Sequence, residues 1–398
     1  MEQPRTSGRV PAAANPAGRR LRLSRFAWLV AAVAVAAATF GITLGLRGQA
    51  TNAPGDPADL RADLQATTSL VVYSEFGEES DTIWAANPDS PGERRQLASV
   101  PHAFGYGIGP SLSPDGRYVA YVALTPGLRD ASNQSPAQLW LLETLGGAPR
   151  LLAEGVDLLG TPVWARDGAS VVVRRVQWRE DGVTSGLLRV DLTGHLTPLV
   201  SSEGALFPID FSPDGAWLYY ATMSNAGSDL SRVPATGVAS VPLAHLSDGV
   251  SRDWRLSPDG ASLAYLGQAP EGATTAYVAQ VLDLATGQIS TPEPDATVAQ
   301  FTGAWAPDGE LTLGQLKDGE GQPLRLKNTA VAGVLQPPSR GFDVPIDWSP
   351  DGAHLAVRSF EGTSPDEPGR SFVDMVGTDG EREQLSSSSD VVIAGWLP

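Results

Sequence analysis

The sequence predicts an all-β protein: a β-propeller, closed on itself by its C-terminal strand and preceded by one transmembrane helix. Three observations predict it. One short phrase is used six times. Its period matches a propeller blade. The residues between copies alternate as β-strands do.

The phrase reads Leu112-Ser113-Pro114-Asp115-Gly116, followed by the apolar run Tyr118-Val119-Ala120-Tyr121. It returns with Asp214 and Gly215, with Asp259 and Gly260, and with Asp351 and Gly352. Two looser copies carry Asp167 and Gly168, and Asp308 and Gly309. The aspartates recur every 43 to 52 residues, and a period of that size marks a propeller or a solenoid. Pro presets φ for the second turn position, Asp tolerates the third, and Gly takes a left-handed conformation. That is hairpin chemistry, with a strand entering and a strand leaving. In the copy at Asp259, two more strands are expected at 276–284 and 288–291. Four short antiparallel strands per unit make a propeller blade, whereas a helical repeat would need apolar residues three and four apart. The six aspartates read as turn residues rather than metal ligands, because a calcium loop needs several oxygens at close spacing.

The chain has 398 residues and net charge −17. One repeat domain absorbs that length. Residues 1–47 hold seven Arg and one Glu, so the remainder carries −23. An acidic domain of that size repels phosphate backbones, which argues against nucleic-acid binding. There is no Cys, which excludes disulfides, thiolate metal sites, a cysteine nucleophile and an acylated lipoprotein Cys.

Taken in order, residues 1–25 form a basic tail with Arg5, Arg9, Arg19, Arg20, Arg22 and Arg25, expected to lie in the cytoplasm. Residues 26–46, FAWLVAAVAVAAATFGITLGL, carry no charge. As a helix they would span about 31 Å, the thickness of a bilayer core. The arginines before it place the N-terminus inside and the rest of the chain outside. A cleaved signal peptide is the competing reading, although its apolar region would be shorter. Arg19-Arg20 also invites a twin-arginine export reading. All three readings export the propeller. Residues 47–68 read as a linker, and 69–398 as the extracytoplasmic propeller.

Blade counting carries the most detail. Strand-like runs at 70–74, 81–86 and 95–98 resemble the second, third and fourth strands of a blade. The missing first strand appears at 391–396, where Trp396 lies one period after Trp348. The C-terminal strand is therefore expected to complete the first blade, giving seven blades. Six blades, with one segment extraneous, is the alternative. Joining the two ends removes exposed sheet edges.

The repeat resembles the WD40-like propeller repeat of the TolB family, whose hallmark is an apolar residue, Ser-Pro-Asp-Gly and an apolar run. The likeness covers repeats over about 100–360. It implies a propeller and, by analogy, a periplasmic scaffold that binds envelope proteins. TolB carries an additional α/β domain before its propeller, and this sequence shows none. Similar propellers precede the hydrolase domain of prolyl oligopeptidase-like peptidases, which is also not seen here.

No catalytic motif is visible, so no enzyme, cofactor or metal is expected. His102, His195, His245 and His354 fall in different repeats without metal-ligand spacing. No Gly-x-Ser-x-Gly elbow occurs. The Gly-rich stretch 105–110 reads as an irregular inner strand rather than a phosphate loop. One constellation stands out. The residue before each phrase should face the central channel: Ser111, Val163, Asp210, Arg255, Ala304, Asp347 and Gly395. Asp210, Arg255 and Asp347 are charged, with Asp253 two residues before Arg255. They form a candidate channel-mouth ligand site, or a structural ion-pair lining. The loops 125–136, 179–185 and 361–370 are expected to be long, polar and free to carry recognition. The expected function is a non-enzymatic, membrane-anchored scaffold for envelope proteins. The alternative is a small-molecule or glycan sensor, or a propeller enzyme acting at the channel mouth. A third reading, the sensor arm of a signalling protein, is opposed by the short tail.

Overall fold

In the computed structural model, the described residues are 69–397 apart from 180–181, 270–275, 296, 322 and 328–329. The expected tail, transmembrane helix and linker (1–25, 26–46 and 47–68) lie outside them. Among the described residues there is no helix, and so none long and apolar enough to cross a membrane.

Seven antiparallel sheets make seven blades. The second is typical, with Gly109–Leu112, Tyr118–Ala123, Ala137–Glu143 and Arg150–Val156 side by side in sequence order. The sixth carries a short extra strand, Glu320–Gly321, beside Leu311–Lys317. The first blade is assembled from both ends of the chain. Val391–Leu397 pairs antiparallel with Leu70–Glu75, then come Ser80–Asn87 and Ser90–Pro101. The expected closure and the count of seven are thus observed, and the six-bladed alternative is excluded. First strands of successive blades touch one another, so they line the centre.

The core is divided among the blade interfaces. Val71, Tyr73 and Trp396 of the first blade pack with Ala356, Val373 and Met375 of the seventh. Ile83 and Leu397 pack with Val119 and Tyr121 of the second. Similar clusters fill each remaining gap. Both faces of each sheet are buried, so second strands read as nearly continuous apolar runs, as in Tyr118–Ala123.

The repeated phrase closes each turn with side chains as well as backbone. Asp214 Oδ1 accepts from the Ser212 hydroxyl at 2.5 Å and from the Ala216 N–H at 3.0 Å. Ser212 Oγ accepts in turn from the Trp217 N–H at 3.0 Å. The same triangle recurs at Ser113/Asp115, Ser257/Asp259 and Ser349/Asp351. The looser copies hold Ala165 and Ala306 in the serine slot. There, without the serine hydroxyl, Asp167 and Asp308 still accept the turn's backbone N–H, from Ala169 and Glu310, and Asp308 also pairs with Lys327 at 3.8 Å. All six glycines have φ between 66° and 84°, as expected of the turn.

Two expectations are corrected. Residues 179–185 are not a long loop. Ser170–Arg179 and Gly182–Asp191 are paired strands of ten residues each, in register up to Arg179 and Gly182. The backbone of 182–185 pairs with that of 176–179 instead of standing free. The stretch 105–110 is only partly an inner strand. Gly109 and Pro110 pair with Val122 and Tyr121, but 102–108 is a connection folded around Asp81.

Candidate functional site: the two ends of the ring

Neighbouring strands run antiparallel, so the connections of each blade alternate between the ends of the ring. The repeated turns share one end with the links between third and fourth strands. The links between second and third strands, and those between blades, share the other. The first will be termed the turn end and the second the loop end.

The sequence-predicted cluster lies at the turn end. Asp210 precedes Phe211 and its turn. Arg166 of the third blade reaches it at 2.7 Å and also donates to the Phe211 carbonyl at 2.9 Å. Asp210 is closely surrounded yet keeps 33% of its side-chain surface open. Burial raises its pKa, and the charges of Arg166 and Arg255 oppose that rise. Burial also pushes Asp347 up to about 6, against the charge of Arg255, its neighbour's backbone N–H and the Trp396 indole. Arg255 is exposed, and its positive charge acts to lower the pKa of both Asp210 and Asp347, although it forms no ion pair with either. Asp253 is placed differently. It adopts φ 56° in a bulge of its strand and accepts from Arg252 Nε at 2.8 Å.

Sequence reasoning missed Arg166. Its signal was the arginine that replaces proline in the copy with Asp167. It also missed the tryptophans that stitch first strands together. Trp164 donates to the Ser111 carbonyl and Trp305 to the Arg255 carbonyl, each at 3.0 Å, so both indoles anchor a channel residue of the preceding blade.

The loop end holds a second arrangement. Asp81 and His102 are buried. His102 Nε2 donates to Asp81 Oδ1 at 2.9 Å, and Nδ1 donates to the Ala103 carbonyl at 2.9 Å. Both ring nitrogens therefore face oxygens, an arrangement that favours the imidazolium beside the Asp81 carboxylate. Burial disfavours that charge, but the Asp81 carboxylate and the Ala103 carbonyl outweigh it and raise the pKa. Asp81 also accepts from the Gly77 and Ile108 N–H groups. The 102–108 connection is thereby tied down. The other histidines make local pairs: His245 with Asp229 and Asp248, and His354 with Asp89 of the first blade. His195 sits in an exposed turn, its backbone N–H bonded to Asp191. Among the described residues no three His, Asp or Glu are grouped to hold a metal ion. A cleft of about 320 Å³ opens between the second and third blades, lined by Ser135, Pro136, Asp157, Val176 and Trp178 among others.

No protein-family model matches the chain. Its sequence is 26% identical over 205 residues to the uncharacterized peptidase YuxL of Bacillus subtilis, covering 42% of this chain and 29% of that protein. A solved prolyl endopeptidase aligns with TM-score 0.56 and 16% identity, covering 93% of this chain and 55% of its own. TolB from Acinetobacter baumannii aligns with TM-score 0.46 and 17% identity, covering 77% of this chain and 67% of its own. These likenesses show the fold alone, and that fold is a seven-bladed β-propeller. The likeness to the peptidases spans 29% and 55% of their lengths.

Proposed function

We propose that this chain is a membrane-tethered, extracytoplasmic propeller that binds other proteins of the cell envelope and performs no catalysis. One observation carries the reading: the longest connections project from one end of a closed ring and are held in fixed shapes. Tyr106 Oη donates to the Ala131 carbonyl at 2.8 Å, joining the 102–108 and 125–136 connections. Within 361–370, Arg370 forks onto both oxygens of Glu361 at 2.9 and 3.0 Å. Ordered loops bind without a large ordering cost. The tether rests on the uncharged segment 26–46 and the arginines before it.

The test is crosslinking of the full-length protein in its native membrane, then mass spectrometry of what is retained. A reproducible envelope protein, crosslinked to loop-end residues, supports the scaffold. Retention of no protein overturns it. A second reading has its own observation. Arg255 is exposed, makes no ion pair among the described residues and donates to the Trp254 carbonyl at 3.3 Å, while its charge acts on Asp210 and Asp347. A small ligand carrying an anionic group would pair with that guanidinium. Loss of such a ligand in Arg255→Gln, with unchanged melting, would move the weight to a sensor.

A further inference from the structure

Among the described residues, large exposed apolar side chains occur at both ends of the ring: Leu151, Leu196, Val238, Val241 and Ile289 lie at the turn end, along third-to-fourth-strand links of separate blades. Phe76, Phe104, Leu128 and Trp178 belong to the loop end, and all come from the first three blades. Phe104 is 63% exposed, which is costly for a phenyl ring unless something covers it. The backbone around it is fastened on three sides. The His102 N–H donates to the Glu79 carbonyl, the Ala103 N–H to Leu124, and the Gly105 N–H to Glu78. The His102–Asp81 pair supports the same segment from beneath, and Phe76 stacks on the imidazole at 6.0 Å. The Tyr106–Ala131 bond leads on to the loop that carries Leu128. The end of that loop and Trp178 line the same cleft. The four residues thus belong to one braced surface crossing three blades.

Charge selects the occupant. Glu78, Glu79 and Asp130 are exposed beside the apolar residues, with Arg129 the exposed cation of the same loops. The chain beyond residue 47 carries −23, so its field attracts cations and repels an anionic lipid surface. We infer that the loop end of the first three blades docks a cationic segment of another protein that presents apolar side chains. The inference rests on the scaffold reading and names the chemistry of the partner.

The test uses full-length protein in nanodiscs and two labelled synthetic amphipathic peptides. They share one apolar face, and their polar faces carry Arg in one and Glu in the other. Fluorescence anisotropy is expected to show binding of the Arg peptide only, weakening as salt is raised. Joint replacement Phe104→Ser and Trp178→Ser is expected to weaken binding about tenfold or more. Val238→Ser, at a 94% exposed position of the turn end, should leave it unchanged. Unchanged melting of each variant keeps the comparison interpretable. Equal binding of both peptides, or an unaffected double variant, overturns the inference. Binding of zwitterionic lipid vesicles through Phe104 in place of the peptide also overturns it and makes the patch a membrane contact. The scaffold reading stands or falls separately: an envelope protein crosslinked only to 361–370 would preserve it while this inference fails.

Discussion

At the scale of single residues, His102, Asp347 and the turn glycines each make a testable claim. His102 is raised above its ordinary pKa in the fold. Its pairing with Asp81 therefore stabilises fully below the unfolded value near 6.5 and is lost as pH rises through the higher folded value. Melting of the wild type should fall over that range. His102→Gln should flatten the profile there and cost about 1–3 kcal/mol at pH 6. Asp347 is an acid raised to about 6. The fold holds its proton more tightly than the unfolded chain, so stability drops as pH rises from about 4 to 6. Asp347→Asn should be more stable than wild type at pH 8, by on the order of 1–2 kcal/mol, with the difference gone in acid. The glycines separate strain from contact. A Cβ on Gly309 (φ 84°) meets nothing within 4 Å, whereas one on Gly260 (φ 70°) would lie 2.6 Å from Pro213 Cδ. Gly309→Ala should cost about 1 kcal/mol for the left-handed backbone alone. Gly260→Ala should cost roughly twice that or more, because the neighbouring turn must also move. Equal losses in chemical denaturation would show that the turns do not pack on one another.

At the scale of elements, the closing strand has the clearest consequence. Val391–Leu397 supplies the first strand of the first blade and puts Trp396 and Leu397 into the gaps on its two sides. Its Gly395, at φ 144°, lets the backbone approach Leu112, which a Cβ would meet at 3.1 Å. Removing 391–398 should lower the melting temperature sharply and expose the edge of Leu70–Glu75. Trp396→Ala alone should cost about 3–5 kcal/mol. If the truncated chain melted with the full one, the strand would be decoration rather than closure. The connections show how element boundaries depend on pairing. The 125–136 and 361–370 stretches are loops as expected. The 179–185 stretch resembles them in composition, but its backbone found partners across a hairpin.

At the scale of the molecule, stability is divided among the gaps between blades. Each blade is buried on two faces only because its neighbours stand beside it. Damage at one interface should therefore be felt by the whole ring rather than by one sheet. The acidic character is also a property of the whole, and it sets the expected salt sensitivity of any cationic partner. The tether is testable at this scale. The full-length chain should stay with membranes through alkaline carbonate and leave only in detergent, whereas release by carbonate would remove residues 26–46 as an anchor.

Much of the architecture was legible in residues near one another in sequence or spaced by one period. Ser-Pro-Asp-Gly reports a turn because its hydrogen bonds span only a few residues. Trp396 reports closure because it falls one period beyond Trp348. The charged channel positions could be named because each sits at a fixed offset from its turn. What those side chains meet was not legible. Arg166 reaches Asp210 across 44 positions, Trp396 stands near Asp347, and His102 finds Asp81. Asp253 has a channel-like offset but turns to Arg252 because its strand bulges there. Local chemistry sets a turn or a strand through nearest neighbours. Burial and pairing are set by which distant blades the closed ring brings together, and only the tertiary structure decides that.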